Sequence, residues 1–202
     1  NTGTAKTDIL THLRDMDVQV LDLEGLAVHR GSLLGGMPTP QPAQKGFETA
    51  LAAKIAGLDP ERPVLVEAES SKIGRINLPP ALWSAMISAP RIEISAPMPA
   101  RAAHLARDYE EQLNDTEGFI DKLQPLRQFR GHAAVDRWAA LLRAGDRIGL
   151  VTALMEEHYD PTYAKSRAEK SPELIAEFRS ETLDQAGQAA LADQIRDLVK
   201  GR

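Results

Sequence analysis

The chain opens with Asn1-Thr2-Gly3-Thr4-Ala5-Lys6-Thr7, a run of small residues that leads into an amphipathic segment. This run matches the later part of the phosphate-binding pattern G-x-x-x-x-G-K-[ST], with Ala5 at the second glycine. Small residues leave backbone N–H groups free to converge on a phosphate, and the following helix presents the positive end of its dipole. We therefore predict that residues 1–7 bind phosphate, with Lys6 on the outer phosphates and the Thr7 hydroxyl able to hold Mg²⁺. The alternative is an ordinary helix cap.

The composition sets bounds on the class of protein. With 202 residues and 43% hydrophobic content, the chain can build one large domain with an appended subdomain. It has no apolar run of membrane-spanning length and no secretory signal, which predicts a soluble, cytoplasmic protein with no membrane partner. The absence of cysteine excludes disulfides, thiolate zinc sites and cysteine nucleophiles within this chain. Because the net charge is −5, any nucleic-acid contact must use a local basic patch.

Helical and strand patterns alternate through the first half of the chain. The pattern predicts helices at 7–15, 44–55, 79–87 and 99–113, and strands at 18–21, 63–67 and 91–95. The apolar strand 63–67 indicates a sheet covered on both faces. With a first strand expected upstream of residue 1, this order predicts an α/β fold, a P-loop NTPase-like parallel sheet flanked by helices.

The second half changes character. It predicts helices at 116–129, 133–143, 147–158 and 188–199, with a late edge strand at 177–179. We therefore divide the chain into a P-loop α/β domain at 1–114 and a mostly helical extension at 115–202.

Carboxylates follow two of the predicted strands. Glu67 and Glu69 come after strand 63–67, and Asp22 and Glu24 come after strand 18–21. Ligands of α/β sheets bind at the carboxyl ends of the strands, so these acids can position a metal or an acceptor. The alternative is that they only solvate the strand ends.

Residues 22–32 combine acids, glycines, a histidine and an arginine, which predicts a switch-like functional loop. In it, His29 could move a proton and Arg30 could neutralise developing phosphate charge. The alternative is a charged loop held by its own salt bridges. Residues 35–42, rich in glycine and proline, are predicted to form a further loop.

Two further polar clusters are candidate sites. Ser70 and Lys72 follow Glu67 and Glu69, and they could bind an anion or form only a polar loop. His158, Tyr159 and Asp160 stand together where Asp-Pro is expected to end a helix. Such a cluster can also form a hydrogen-bonded site.

Basic residues crowd the helical region. Arginines with aromatic neighbours could bind RNA phosphates and stack on an unpaired base, although charged helices are more often solvated faces. The candidate RNA-binding residues are Arg127, Arg130, Arg137, Arg143 and Arg147. Of the two nearby aromatic residues, Phe129 and Trp138, either could be a core residue, and Trp138 is the stronger core candidate.

Together these residues make the chain resemble the C-terminal portion of the bacterial tRNA 2-selenouridine synthase family. The blocks that carry the resemblance run over about four fifths of the chain, and the D-L-E-G-L-A-x-H-R-G-S block is the most specific. They are residues 1–7, 22–27, 29–32, 66–70 with 73–74, and 158–161 with Tyr163.

The resemblance implies a tRNA-modifying transferase that acts on wobble 2-thiouridine in the anticodon region. The sulfur is geranylated from geranyl diphosphate and then replaced by selenium from selenophosphate. The resemblance also implies an N-terminal rhodanese-like domain with a catalytic cysteine. This chain lacks that part, and we expect it not to complete selenation as it stands.

Two rivals stay open at this point. A small-molecule kinase or ATPase of the same fold would need the same phosphate loop, and the sequence does not decide whether ATP binds. A non-catalytic RNA-binding module with a decayed loop would need only the arginines. In the first hypothesis, residues 1–7 cradle a diphosphate or selenophosphate, and Asp22, Glu24, His29, Arg30 and Glu67 act on the transferring group.

Overall fold

A computed structural model describes residues 2–32, 34–37, 39–67, 70–162 and 173–201. The chain forms two compact units. One consists of Lys6–Arg91 with Gln188–Arg202, and the other consists of Asn1–Ala5 with Ile92–Gly187. We call them the N-unit and the C-unit. The predicted division at residue 114 rests on secondary-structure character and stays a prediction.

The described strands form three separate two-stranded sheets, not one continuous sheet. Parallel pairing joins β1 to β2, with Val20 opposite Leu65; β3 and β4 form an antiparallel hairpin, and β5 pairs with β6. The late edge strand is thus confirmed, as β6. The strands are β1 Gln19–Leu21, β2 Val64–Val66, β3 Lys72–Ile73, β4 Ile76–Asn77, β5 Arg91–Ser95 and β6 Leu174–Arg179.

Helices make up most of the described chain and confirm most of the predicted ones. They are α1 Lys6–Asp15, α2 Leu23–Ala27, α3 Gln44–Ala56, α4 Pro80–Ser88, α5 Met98–Asp108, α6 Glu110–Asn114, α7 Thr116–Leu123, α8 Arg127–Arg130, α9 His132–Arg143, α10 Arg147–Leu154 and α11 Gln185–Lys200. A 3₁₀ turn at Gln124–Leu126 joins α7 to α8, and a π-helical turn at Met155–Tyr159 extends α10. Both units are therefore α/β in composition.

Each unit has its own apolar core. In the N-unit, α2, α3 and the hairpin bury Leu21, Leu23, Ala27, Phe47, Leu51, Ile73, Ile76 and Leu78. In the C-unit, α10 packs on α5 and α9, and Trp138 is fully buried. In α3, Phe47 and Leu51 are buried, but Ile55, four residues after Leu51, is 44% exposed. Val64 is 37% exposed, so the expectation that β2 is covered on both faces was wrong.

Several predicted elements have different limits. The expected helix 99–113 breaks at Tyr109 into α5 and α6, and the helix 116–129 breaks at the 3₁₀ turn that contains Pro125. The expected stop at Asp160-Pro161 was also wrong, since residues 160–162 stay helical. The π-helical turn just before Pro161 widens the helix, which accommodates a residue that cannot donate an N–H bond.

One capping pattern recurs at the helix starts. An aspartate accepts a hydrogen bond from the N–H of a glycine three residues later, as an N-cap does. The pairs are Asp22–Gly25, Asp115–Gly118, Asp146–Gly149 and Asp184–Gly187. Residues 22–32 were predicted to be a loop, and this cap explains why Leu23–Ala27 is helical.

Candidate phosphate and carboxylate site

The first turn of α1 and the end of β2 bring two predicted site residues into contact. The Thr7 hydroxyl donates a hydrogen bond of 2.7 Å to Glu67 Oε1 and lies 3.5 Å from Glu24 Oε2. Parallel pairing of β1 and β2 explains the meeting, because the carboxyl ends of parallel strands lie at the same edge of a sheet. The structure thus groups Thr7, Glu24 and Glu67 within the N-unit.

Glu67 is a buried carboxylate, only 4% exposed. Burial raises its pKa, and the negative charge of Asp22 acts in the same direction. The Lys6 charge and the Thr7 hydrogen bond oppose that rise, because both stabilise the ionised carboxylate. A cation that bound beside Glu67 would stabilise its ionised form, as the Lys6 charge does.

The oxygen atoms that this cluster offers as ligands suit a small, hard cation. Mg²⁺ binds through oxygen ligands and commonly uses one or two carboxylates together with substrate phosphates and waters. The Thr7 hydroxyl and the Glu67 and Glu24 carboxylates supply such oxygens within hydrogen-bonding reach of one another. Among the described residues, no group of three or more His, Cys, Asp or Glu side chains forms a complete metal site. A bound cation would thus need phosphate oxygens as well.

The loop before α1 has two left-handed residues. Gly3 has φ +74° and Ala5 has φ +56°. Gly3 is required by contact as well as by φ, because a Cβ there would lie 2.8 Å from Leu105 Cδ1 within the C-unit. Ala5, which stands where the pattern has glycine, adopts the glycine-like conformation and is 4% exposed. Ala5 thus adopts a conformation that is usual for glycine, in spite of the substitution; Asn1 lies outside the described residues.

Asp22 has a structural role in addition to its charge near Glu67. Its Oδ1 accepts a 2.7 Å bond from the Gly25 N–H at the start of α2. A Cβ on Gly25 would lie 2.8 Å from Asp22 Cγ, so a larger residue there would displace the capping carboxylate. The D-x-x-G part of the most specific sequence block is thus explained by helix capping, and Glu24 is the member of that block that reaches Thr7.

His29 lies beside the β3–β4 turn. A Cβ added to Gly74 would lie 2.7 Å from His29 Cδ2, and Gly74 has φ +58°. Partial burial lowers the pKa of His29, which favours the neutral ring, and its Nδ1 finds no partner among the described residues. The Arg30 N–H donates to the Gly35 carbonyl at 2.9 Å, which closes a turn.

Gln41 is a residue that the sequence interpretation missed. Its side chain donates to the Ala27 and Ile73 carbonyls at 3.1 and 3.0 Å and accepts from the Arg75 N–H at 2.7 Å. It therefore ties the end of α2 to the hairpin. A glutamine within a proline-rich stretch gave no periodic signal that could have revealed it.

The polar segment that begins at Ser70 leads into the β3–β4 hairpin. Ser70 Oγ makes bonds to the Lys72 carbonyl and N–H, so it shapes the start of β3. The proposed anion pocket at Ser70 and Lys72 stays a prediction. Glu69 lies outside the described residues, as does Tyr163 of the later block.

Arg101 is a buried cation in the C-unit, with its side chain 7% exposed. Its Nε donates to the Thr2 carbonyl at 2.7 Å, and its two terminal nitrogens donate to the Asp160 carboxylate at 3.0 and 2.6 Å. Arg101 lies four residues before Leu105 in α5, so the two side chains share one face of the helix.

His158 is held by Arg130. The Arg130 guanidinium donates to His158 Nδ1 at 3.1 Å, to the His158 carbonyl at 3.0 Å and to the Thr162 hydroxyl at 2.9 Å. Burial, and secondarily the Arg130 charge, lower the pKa of His158. Its ring meets that of Tyr159 edge to face, with centroids 4.8 Å apart. The sequence cluster at 158–160 thus separates into two contacts, His158 with Arg130 and Asp160 with Arg101.

The other candidate RNA-binding arginines form ion pairs on the surface. Arg127 pairs with Asp136, Arg137 with Glu157, Arg143 with Glu117, and Arg147 bonds to Asn114 near Glu110. A phosphate that binds there must compete with a carboxylate. Phe129 is 72% exposed and Trp138 is fully buried, so Trp138 is confirmed as core and Phe129 is a surface residue.

Comparison with known proteins identifies relatives of one kind. The family model described as the tRNA 2-selenouridine synthase AAA domain matches residues 1–136. A protein named tRNA 2-selenouridine synthase from Cupriavidus pinatubonensis is 31% identical over 97% of this chain and 58% of its own length. One of that name from Bordetella bronchiseptica is 36% identical over 86% of this chain and 54% of its own length.

The chain spans about half the length of the curated relatives that it matches. No solved structure matches it. Within the described residues, no helix is both long and apolar enough to span a bilayer.

Proposed function

The chain belongs to the tRNA 2-selenouridine synthase family, and from this premise we propose that it forms the phosphate-binding part of a tRNA-modifying transferase. The observation that carries the proposal is the bond from the Thr7 hydroxyl to buried Glu67, beside Lys6. In a P-loop fold, the residue after the loop lysine meets the acid at a strand end in this way.

The loop binds a diphosphate or a selenophosphate, and geranyl diphosphate and selenophosphate are the two co-substrates that we assign. The loop N–H groups and Lys6 hold the phosphate oxygens, and α1 adds its positive N-terminal dipole. Thr7 and Glu67 would hold Mg²⁺, which would neutralise charge on the leaving diphosphate. Neutral His29 can accept a proton once the acceptor is in place.

The acceptor is the wobble 2-thiouridine of a tRNA. Phe129 presents an exposed aromatic face beside Arg130, an arrangement that stacks on a splayed base and neutralises an adjacent phosphate. The remaining arginines add weaker contacts, because each has a carboxylate or amide partner to exchange. A rhodanese-like domain elsewhere in the full-length protein would supply the cysteine that this chain lacks.

Mass spectrometry of tRNA tests this function. Full-length protein is incubated with thiolated tRNA and geranyl diphosphate, and the mass of the modified nucleoside is followed. Glu67→Gln keeps the shape of the side chain but removes its charge, so turnover should fall more than donor affinity. A variant that modified tRNA at the normal rate would return Glu67 to a structural role.

A further inference from the structure

Arg101 makes three hydrogen bonds from a buried position, and they divide between two partners. Two bonds go to Asp160, at 3.0 and 2.6 Å, and fix the plane of the guanidinium. The third bond, 2.7 Å from Nε to the Thr2 carbonyl, reaches the backbone of the loop that precedes α1. The side chain therefore connects the Asp160 carboxylate to one peptide group of that loop.

The contact with Thr2 determines the direction of the next N–H group. Because a trans peptide is planar, the Thr2 carbonyl and the Gly3 N–H point in opposite directions. Arg101 holds the carbonyl oxygen, so the Gly3 N–H is directed away from the guanidinium. The Thr2 hydroxyl cannot share this task, since it has no hydrogen-bond partner within the described residues.

Packing on α5 supports the same peptide. A Cβ on Gly3 would lie 2.8 Å from Leu105 Cδ1 and 3.3 Å from the Arg101 carbonyl oxygen. The loop backbone therefore lies directly on the helix that carries Arg101. The hydrogen bond from Arg101 and the close packing on α5 together leave the Thr2–Gly3 peptide little freedom to rotate.

The energetics of the Arg101–Asp160 ion pair favour a role in orienting the loop over a role in stabilising the fold. The Arg101 side chain is buried and that of Asp160 is 32% exposed. A partly buried ion pair of this kind gains little net stability, because desolvation of the charges offsets their attraction. Its bidentate geometry, however, defines an orientation that a lysine ammonium cannot reproduce. The pair is thus suited to hold a backbone group in place.

We propose that Arg101, held by Asp160, is a positioning residue that sets the direction of the Gly3 N–H for phosphate binding by the loop. This inference rests on the proposed function, in which the loop binds phosphate. It also gives Asp160, in the block at 158–161, a role at the donor site through Arg101.

Calorimetric titration of the full chain with inorganic pyrophosphate, paired with thermal melting, tests the proposal. Arg101→Lys should bind pyrophosphate about tenfold more weakly, because the Gly3 N–H is no longer held in direction. The double variant Arg101→Met with Asp160→Leu removes both charges together. It should melt close to the unmodified chain, yet bind as weakly as Arg101→Lys.

Leu123→Ala is the control for destabilisation alone, because it opens a cavity at a fully buried position of α7, a helix that packs on α9. It should melt at a lower temperature and keep its pyrophosphate affinity. If affinity followed melting temperature across all the variants, or if the double variant bound normally, the positioning role would be overturned.

Lys6→Ala in the same titration distinguishes a failure of the positioning role from a failure of the proposed function. If Lys6→Ala weakens binding while the Arg101 variants do not, only the positioning role fails. If neither Lys6→Ala nor the Arg101 variants lose affinity, or the unmodified chain binds no pyrophosphate, the proposed function fails and the positioning role with it.

Discussion

The Thr7 hydroxyl donates to Glu67 Oε1 at 2.7 Å, although the two residues lie 60 positions apart in the chain. Thr7 lies in the first turn of α1, and Glu67 follows directly after β2. This contact turns two separate sequence patterns into a single site and places a raised-pKa carboxylate beside Lys6.

Glu67→Gln should stabilise the chain at neutral pH. Because the folded pKa of Glu67 is raised, its contribution to stability is complete below the ordinary carboxyl pKa and is lost as pH rises through the folded value. Glutamine stays neutral and avoids that loss. Urea unfolding at several pH values should show the variant more stable above that range and equal to the unmodified chain in acid.

Glu117→Gln provides a control of opposite sign. The hydrogen bond from Arg143 lowers the pKa of Glu117, so its contribution is present above the ordinary carboxyl pKa and is lost as pH falls through the folded value. The Glu117 variant should be the less stable one at neutral pH. If the free energy of unfolding depended on pH in the same way for Glu67→Gln and the unmodified chain, burial would not raise the pKa of Glu67.

Gly25→Ala should lower the free energy of unfolding by about 1 kcal/mol, because the new Cβ displaces the Asp22 carboxylate that caps α2. Gly46→Ala is the matched control. A Cβ there meets only Pro42 Cβ, at 3.8 Å, so alanine should stabilise α3 by about 0.5–1 kcal/mol. Denaturant unfolding of the two variants should give opposite signs, and a stabilised Gly25→Ala would refute the capping role.

The affinity for tRNA should depend on salt through few contacts, since the chain carries a net charge of −5. Each phosphate contact contributes a slope of about 0.7–0.9 in a plot of log affinity against log salt. The double variant Arg130→Ala with Arg137→Ala should bind more weakly, with a slope shallower by roughly one to two. Arg62→Ala, which removes a surface arginine of the N-unit, is the control. An unchanged slope in the double variant would place the RNA site elsewhere.

Phe129→Ala should weaken tRNA binding by about 1–3 kcal/mol without a change in melting temperature, because the ring is 72% exposed. Phe129→Tyr retains an aromatic face and should bind normally. Fluorescence anisotropy with labelled tRNA measures both. If Phe129→Tyr lost as much affinity as Phe129→Ala, or if neither changed, base stacking at Phe129 would be rejected.

Local patterns predicted the positions of several elements well. Helices α1, α3, α4 and α11 and strands β1, β2 and β5 lie where periodicity placed them. The block at 22–32 misled because its acids and glycines are also the residues of an N-cap, and Asp22 with Gly25 forms one. The short hairpin of β3 and β4 has two residues in each strand, too few for an alternating pattern.

The sequence could not show which distant residues form pairs. Asp160 was identified as a candidate, but its bond to Arg101 depends on α5 lying next to the end of the π-helical turn. The arginines of the helical region were visible as a basic cluster. Their carboxylate partners, such as Glu117 for Arg143, come from other helices and became visible only in three dimensions.

Calorimetric titration with geranyl diphosphate tests the central claim most directly, in the unmodified chain and in two lysine variants. Lys6→Ala should remain folded and bind about tenfold or more weakly, because Lys6 supplies charge to the outer phosphates. Lys54→Ala, which removes an exposed lysine from α3, should bind as the unmodified chain does. Equal affinity in a folded Lys6→Ala variant would contradict the assignment of the loop as the donor site.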